Sequence, residues 1–320
     1  MASKLNVNSR LSLFPIKDHE AYAAYKEMQA MNWIAEEADL AGDRKDYEAM
    51  SENEKRLIRT TLAFFAGSDS IINANLSTNF ANEIEGLEIA AVYAFQQMME
   101  IVHQEAYGLQ LEALIESKEE RETLFKAVRN NEAIRAKAEF AFKYMNKDIS
   151  LPRRLFAFCI AEGLHFQASF ATLAYFKTKN KLEGVTKLNE WISRDEFSHC
   201  RFSAMMFKRE NNDDMKQGDA EKIMAEAVAV ESEFIKNALD TGVLGLNDRL
   251  MIKFVRCVAD KIMVLCGFKA FYGDANPLPF MNSYGIYTKS NFFESKATNY
   301  QKPGVGQSAE DRTFKTDADF

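Results

Sequence analysis

Two copies of one short pattern, a glutamate followed three residues later by a histidine, could each supply half of a metal site. They are Glu100-x-x-His103 and Glu196-x-x-His199. Positions three apart share a face of an α-helix, so each pair can direct a carboxylate and an imidazole at one point. Metal coordination by oxygen and nitrogen is the chemistry that these residues predict.

An additional acid precedes each pair at a similar distance. Asp69 lies 31 residues before Glu100, and Glu162 lies 34 residues before Glu196. These separations fit a long helix, a turn and an antiparallel return helix that brings the upstream acid beside its pair. The sequence therefore predicts two similar helical hairpins that face one another as a four-helix bundle, the arrangement of ferritin-like dimetal carboxylate proteins.

The charges of these six residues favour a pair of metal ions. The four carboxylates carry a charge of −4, which two divalent cations would cancel, so the filled site could lie in a low-dielectric core. Carboxylate oxygens with one nitrogen per metal favour iron or manganese, whereas thiolates would suggest zinc or an iron–sulfur cluster. One Glu-x-x-His arises often by chance, and its repetition with matched acids makes the signal specific.

A third match to the pattern, Glu162-x-x-His165, has two interpretations. No carboxylate stands 31 to 34 residues before Glu162, where the chain reads Val128-Arg-Asn-Asn131. This lack of symmetry favours a core histidine that supports the ligands through hydrogen bonds. The alternative is an extra or exchangeable metal ligand.

Composition and charge exclude several classes of protein. The chain has 320 residues, of which 47% are hydrophobic, and a net charge of −7. A large core is therefore possible, and the absence of a Lys/Arg block argues against nucleic acid and anionic membrane as partners. No apolar run approaches the roughly 18 residues of a membrane span, and the first residues do not resemble a signal peptide. We expect a cytoplasmic protein.

The elements that must position the metal-site candidates are almost all helical. Only five prolines and fourteen glycines interrupt the chain, and the stretches between them lack strand-type alternation. We expect an all-α fold with an N-terminal arm over residues 1–25, a ferritin-like helical domain over residues 26–284 and a flexible tail over residues 285–320. The four cysteines have no C-x-x-C spacing and are expected to be buried and reduced.

Local signals place the candidates on particular helices. Ser51-x-x-Glu54 is a capping box that starts the helix of Asp69. Tyr107 lies seven residues after Glu100, so its phenol lies one turn beyond the ligands on the same helix face. The predicted helices span about residues 52–80, 84–115, 132–146, 184–211, 219–240 and 247–272, and two more begin near Ser117 and Ser150, the second of which leads to Glu162.

Aromatic residues add two expectations. Phe158, Phe166 and Phe170 surround Glu162 in sequence; because phenyl rings are hard to oxidise they could insulate a radical, although ordinary core packing explains them equally well. The tail contains several aromatic residues and ends in Asp317-Ala-Asp-Phe320, which suits a peptide that docks in a partner's groove.

Several motifs spread over nearly the whole chain resemble those of the small, radical-generating subunit of class I ribonucleotide reductase. The matching stretches are Leu62-Ala-Phe-Phe-Ala-Gly-Ser-Asp69, Met99-Glu-Ile-Val-His-Gln-Glu-Ala-Tyr107, Ala161-Glu-Gly163, Ile192-Ser-Arg-Asp-Glu-Phe-Ser-His199, Asn291-Phe-Phe-Glu294 and the Asp-Ala-Asp-Phe end. The resemblance implies a homodimer that supplies a stored radical to a separate large catalytic subunit, where ribonucleotides become deoxyribonucleotides.

The resemblance also implies roles for single residues. One metal would be held by Asp69, Glu100 and His103, and the other by Glu162, Glu196 and His199. Two iron ions in a di-iron-oxo centre, with manganese as the other candidate, would react with molecular oxygen and leave the radical on Tyr107. Trp33, Asp195 and Tyr300 would relay the radical towards the large subunit, which would be bound by Asp317, Asp319 and Phe320.

Other functions compete with this interpretation. A di-iron oxygenase or desaturase shares the paired motifs but has no need of Tyr107, Trp33 and the aromatic tail together. A ferritin-type iron store would be a shorter subunit without such a tail, and a purely structural bundle has no reason to bury four acids. Two questions stay open: whether iron or manganese is bound, and whether oxygen or a helper flavoprotein supplies the oxidant. His165 departs from the family pattern and puts the metal preference in question.

Overall fold

Helices make up every regular element in the part of the chain that the structure describes. The structure is a computed structural model, and it describes residues 10–239 and 246–284. The α-helices are α1 (His19–Ala30), α2 (Asp43–Glu48), α3 (Glu52–Asn75), α4 (Ala81–Glu83), α5 (Leu87–Leu114), α6 (Lys118–Phe125), α7 (Ala127–Asn130), α8 (Glu132–Met145), α9 (Leu151–Gly163), α10 (Gln167–Lys177), α11 (Glu183–Glu210), α12 (Gln217–Ala238) and α13 (Asp248–Leu265). The predicted all-α class is confirmed.

Four helices form the bundle that carries the candidate ligands. α3 packs along α5, α9 packs along α11, and α5 contacts α11. α5 and α11 each have 28 residues, about 42 Å at 1.5 Å per residue. The bundle therefore extends well beyond the ligands at both ends, and its ends can close the centre off from water.

Side-chain caps fix where several helices begin. The Ser51 hydroxyl accepts a bond from the Glu54 amide, and the Glu54 carboxylate accepts one from the Ser51 amide, as the capping box predicted. α1 begins at His19, inside the range that the sequence assigned to the arm. Asp18 caps this helix through the Ala21 amide at 3.0 Å and forms an ion pair with Arg209 of α11. The helical region therefore begins earlier than Pro15 and the mixed polarity of the arm suggested.

The two hairpins differ from one another, contrary to the sequence prediction. A π-helical turn at Leu76–Phe80 extends α3 towards α5. In the second hairpin, however, the outgoing helix breaks: α9 ends at Gly163, and α10 begins four residues later, at Gln167. The His165 amide donates to the Ile160 carbonyl at 3.3 Å, one residue further back than a helix requires, and the His165 carbonyl accepts a bond from Lys137. A distant side chain thus stabilises the break, and local sequence patterns do not reveal it.

The structure also bears on the predictions about the cysteines and about membrane-spanning helices. All four cysteines are buried and free of disulfides, as predicted. Within residues 10–239 and 246–284, no helix combines the length and the apolar character that a membrane crossing needs. The predicted tail, with Tyr300, Asp317, Asp319 and Phe320, lies outside the described residues.

Candidate metal centre

Six buried side chains from four helices meet in the middle of the bundle. The six side chains are those of Asp69, Glu100, His103, Glu162, Glu196 and His199. Each is at most 1% exposed. They form two groups in which the ligand atoms lie within 4.8 Å of one another: one is Asp69, Glu100 and His103, and the other is Glu100, Glu162, Glu196 and His199. The structure therefore brings together all six predicted residues, and Glu100 belongs to both groups.

Each histidine turns the same ring nitrogen towards the carboxylates. His103 Nδ1 lies 3.0 Å from Glu196 Oε1, and His199 Nδ1 lies 3.1 Å from Glu100 Oε1. The other nitrogen of His103, Nε2, lies 3.4 Å from Asp195 Oδ2. A proton on Nε2 shared with Asp195 would leave the Nδ1 lone pair free, which is how supporting carboxylates orient metal-binding histidines.

The atoms that face one another in the centre lack ordinary hydrogen-bond partners. Three carboxylate oxygens have no hydrogen-bond partner, namely Asp69 Oδ2, Glu100 Oε2 and Glu162 Oε2, and two further atoms, His103 Nδ1 and Glu196 Oε1, lie 3.0 Å apart without the alignment of a hydrogen bond. Buried polar atoms are nearly always paired, because an unpaired one costs about 1–3 kcal/mol. Unpaired acceptors from both groups, combined with a carboxylate-rich donor set, fit two divalent cations of the iron or manganese type.

Electrostatics within the cluster also favours a metal pair. Burial, and then the charges of Glu100 and Glu196, raise the pKa of Asp69 and of Glu162. Burial disfavours a charged His199, but the surrounding carboxylates outweigh it and raise its pKa. In the protein alone the cluster therefore retains protons to limit its negative charge, and divalent cations would displace them.

Gln96, which belongs to neither Glu-x-x-His motif, completes the centre. Its side-chain amide donates to Glu162 Oε1 at 2.8 Å and to Glu100 Oε1 at 3.4 Å. Gln96 lies four residues before Glu100 on α5, so the spacing alone could have placed it on the ligand face. It joins the two hairpins by holding one carboxylate from each.

Trp33 is connected to the centre through Asp195. The indole nitrogen of Trp33 donates to Asp195 Oδ2 at 2.6 Å, the same oxygen that approaches His103. The Trp33 and His103 rings also stack, with centroids 5.8 Å apart and planes at 20°. Arg194 fixes this arrangement by donating to Asp195 Oδ1 at 3.2 Å and to the Met31 carbonyl at 2.8 Å.

Tyr107 is 2% exposed and lies among phenyl rings on α5. Its ring stacks on Phe65, with centroids 4.7 Å apart and planes at 3°. Phe65 in turn contacts Phe166 and Phe170, two of the three rings named from the sequence. The third, Phe158, packs on Phe80 instead. Sequence patterns do not indicate a role for Phe65, because its contact with Tyr107 depends on the packing of α3 against α5.

His165 lies outside both ligand groups. Its ring is buried and packs edge-on against Phe140, with centroids 4.8 Å apart. Burial, and then the charge of Lys137, lower the pKa of His165 to about 3, so the imidazole is neutral. The geometry therefore favours a core histidine over an additional metal ligand.

Known proteins resemble this chain over nearly its whole length. The family described as "Ribonucleotide reductase, small chain" matches residues 10–277. Ribonucleoside-diphosphate reductase subunit M2 of Danio rerio is 37% identical over 312 residues, which cover 97% of this chain and 81% of that protein. The ribonucleoside-diphosphate reductase small chain of Vaccinia virus (strain Ankara) is 36% identical over 312 residues, which cover 98% of this chain and 97% of that protein.

Solved structures share the fold. The ribonucleotide reductase Rnr4 homodimer from Saccharomyces cerevisiae aligns with a TM-score of 0.79 and 29% identity, over 86% of this chain and 87% of that one. The dimanganese(II)-NrdF of Streptococcus sanguinis aligns with a TM-score of 0.74 and 20% identity, over 89% and 99% of the two chains. At that lower identity the likeness concerns the helical fold alone.

Proposed function

Because the chain belongs to the ribonucleotide reductase small-chain family, we propose that its buried centre generates a stable tyrosyl radical on Tyr107 for use by a large catalytic subunit. The supporting observation is the convergence of six buried ligands with unpaired atoms in the bundle that also buries Tyr107. A small subunit of ribonucleoside-diphosphate reductase is part of an oxidoreductase. The large subunit would use the radical to reduce ribonucleotides to deoxyribonucleotides.

Each ligand group would hold one metal ion, and Glu100 would contribute to both. When bound, a pair of iron ions would supply, with molecular oxygen, the oxidising power that removes one electron from Tyr107. We propose iron because position 107 holds a tyrosine, which can lose the electron and proton that iron with oxygen would remove; manganese with a flavoprotein oxidant is the alternative. The carboxylates, Gln96 and the two Nδ1 atoms would set the positions of the ions.

Tyr107 itself would provide the electron together with its phenolic proton. Burial, and then the charge of Asp69, raise the pKa of Tyr107, so the phenol is protonated at neutral pH. Its stacking on Phe65 surrounds the ring with groups that are harder to oxidise. Both features favour a radical confined to one side chain and kept away from water.

The pair formed by Trp33 and Asp195 would carry the electron between the centre and the protein surface. Their hydrogen bond of 2.6 Å and the stacking of Trp33 on His103 form a continuous path from a ligand. Ile34, the next residue, is 52% exposed, so the path ends close to the surface. Tyr300 in the tail would continue the transfer to the large subunit.

Reconstitution with ferrous iron and air tests this proposal. We expect two iron ions per chain and a tyrosyl signal in electron paramagnetic resonance spectra. Two bound irons without any radical would contradict the iron form. A radical that appears only with manganese and a flavoprotein oxidant would instead support the manganese form of the centre.

The tail is the proposed docking segment for the large subunit. Removing the last seven residues deletes Phe320 and the acids Asp317 and Asp319. We expect this truncation to abolish binding to the large subunit in a pull-down or calorimetric titration, and to abolish ribonucleotide reduction. Iron content and the radical signal should match those of the full chain, because no ligand is removed. Unchanged binding would exclude the tail as the docking segment.

We also propose that two copies of the chain associate through the outer face of α5. Met98 and Ile101 are 40% and 60% exposed on this face, and the yeast relative was solved as a homodimer. An Ile101→Asp change should weaken the dimer at least tenfold in analytical ultracentrifugation, because it would bury a charge in an apolar interface. Val264→Asp, at an equally exposed apolar position of α13, is the control and should leave the dimer intact. A dimeric Ile101→Asp protein would exclude this surface.

A further inference from the structure

Lys137 carries an ammonium group that is almost completely buried. Its residue is 2% exposed on α8, and its Nζ lies 2.8 Å from Glu231 Oε2, a carboxylate of α12 with 0% exposure. Nζ also lies 3.4 Å from the ring centroid of Phe64 and 4.0 Å from that of Phe234. The pair therefore links α3, α8 and α12 at a position isolated from water.

The same ammonium group contacts the break between α9 and α10. Lys137 Nζ donates to the carbonyl of His165, and Glu162 stands one residue before the end of α9. His165 lies two residues past the end of α9, in the short connector to α10, so the ammonium group anchors the connector that follows the final turn of α9. This final turn is the one that carries the Glu162 carboxylate.

The other half of the ion pair faces the start of α10. The backbone amide of Ala168, in the first turn of that helix, approaches the Glu231 carboxylate and partly offsets the effect of burial on the pKa of Glu231. An acid at a helix start matches the helix dipole. The ammonium group thus holds the connector after α9, and the carboxylate holds the start of α10.

Stability does not explain a buried ion pair at this position. Two charges removed from water lose hydration that their mutual attraction rarely repays, and apolar replacements are often neutral or stabilising. Burial lowers the pKa of Lys137 to about 8 and raises that of Glu231 to about 7, so both charges are disfavoured. A contribution to the geometry of the metal centre would account for the pair.

We propose that Lys137, held in place by Glu231, is a positioning residue that fixes the end of α9 and thereby the Glu162 carboxylate in its metal-ligand group. This inference rests on the proposed metal-binding function. The inference goes beyond that function because it assigns a role to two residues that are not themselves metal ligands. The metal ion held with Glu162 should depend on the pair, and the ion held with Asp69 should not.

The test compares manganous ion binding in matched variants. Lys137→Met alone would leave the Glu231 charge buried without a partner and could unfold the chain, so the main variant is Lys137→Met with Glu231→Leu. The control is Lys143→Met, which removes an ion pair between the same two helices: Lys143 and Glu226 are 2.8 Å apart and 51% and 39% exposed. Free manganese is followed by electron paramagnetic resonance during the titration.

We expect the native chain and the Lys143→Met control to bind two manganous ions with similar affinities. The double variant should bind one ion as the native chain does and the second about 10- to 100-fold more weakly, the usual effect of losing a supporting contact. Native affinity for both ions in the double variant would overturn the positioning role. A native chain that binds no metal would instead contradict the proposed function itself.

Thermal unfolding separates positioning from a loss of fold. Between pH 4.5 and 7 Glu231 holds a proton in the folded chain but not in the unfolded chain, so the folded state loses stability as the pH rises. Between pH 8 and 10.5 Lys137 holds a proton in the unfolded chain but not in the folded chain, so the folded state gains stability as the pH rises. The contribution of the pair to stability is therefore least favourable between about pH 7 and 8. We expect the metal-free double variant to unfold at the native temperature or above, with its largest gain in this range. A lower unfolding temperature there, with both ions bound weakly, would assign the pair to general stability.

Discussion

A Tyr107→Phe variant should bind the same two metal ions as the native chain and yet form no tyrosyl radical after exposure to ferrous iron and air. Phenylalanine retains the ring that stacks on Phe65 at 4.7 Å, so the packing of α3 against α5 is kept. It has no phenolic proton to lose, and its ring is much harder to oxidise. Ribonucleotide reduction with the large subunit should fall by about a thousandfold or more, because the reaction has no stored oxidant.

Tyr93→Phe is the matched control for this experiment. Tyr93 also lies on α5, is 1% exposed, and has a hydroxyl group without a hydrogen-bond partner. Its ring packs among Phe80 and Phe202 instead of Phe65. We expect a native radical signal and native activity from this variant. A radical in the Tyr107→Phe protein, or its loss in the Tyr93→Phe protein, would assign the radical to another residue.

Replacing Glu100 should remove both metal ions at once. Glu100 is the one residue shared by the two ligand groups, so a Glu100→Gln change removes a carboxylate from each. We expect the affinity for both ions to fall by about a hundredfold or more, since a direct ligand matters at least as much as the contacts that support one. Asp69→Asn and Glu162→Gln should each weaken mainly one of the two ions. Metal titration of the three variants under the same conditions distinguishes these outcomes.

The same change should leave the metal-free protein equally stable or more stable. The charge of Glu100 contributes to the raised pKa values of Asp69 and Glu162, so its removal relieves repulsion inside the core. Relief of about 1 kcal/mol would raise the unfolding temperature of a chain of 320 residues by roughly 1–2 °C. Native metal affinity, or a large loss of stability in the metal-free variant, would show that Glu100 supports the fold rather than the ions.

The candidate ligands could be found from the sequence because their geometry is local. Three residues along a helix always bring two side chains to one face, so Glu100 with His103 and Glu196 with His199 needed no knowledge of tertiary structure. Repetition with matched acids then indicated the bundle. Capping boxes gave the start of α3 within one residue for a similar reason.

Features that depend on distant parts of the chain could not be predicted from these patterns. Trp33 and Asp195 are 162 residues apart, and only the family resemblance joined them before the structure did. The stacking of Phe65 on Tyr107 requires the pairing of α3 with α5. The break after Gly163 is contacted by a lysine from α8, and neither proline nor a turn motif marks it in the sequence.

The broken second hairpin makes the two halves of the centre mechanically unequal. Asp69 projects from the interior of α3, where helical hydrogen bonds continue on both sides, whereas Glu162 projects from the last turn of α9. A repeat that is symmetrical in sequence thus places one carboxylate from within a continuous helix and the other from the end of one. Local helical hydrogen bonds are enough to hold the first, whereas the second depends on contacts from a distant helix, so the internal duplication of the motif does not give two equivalent supports.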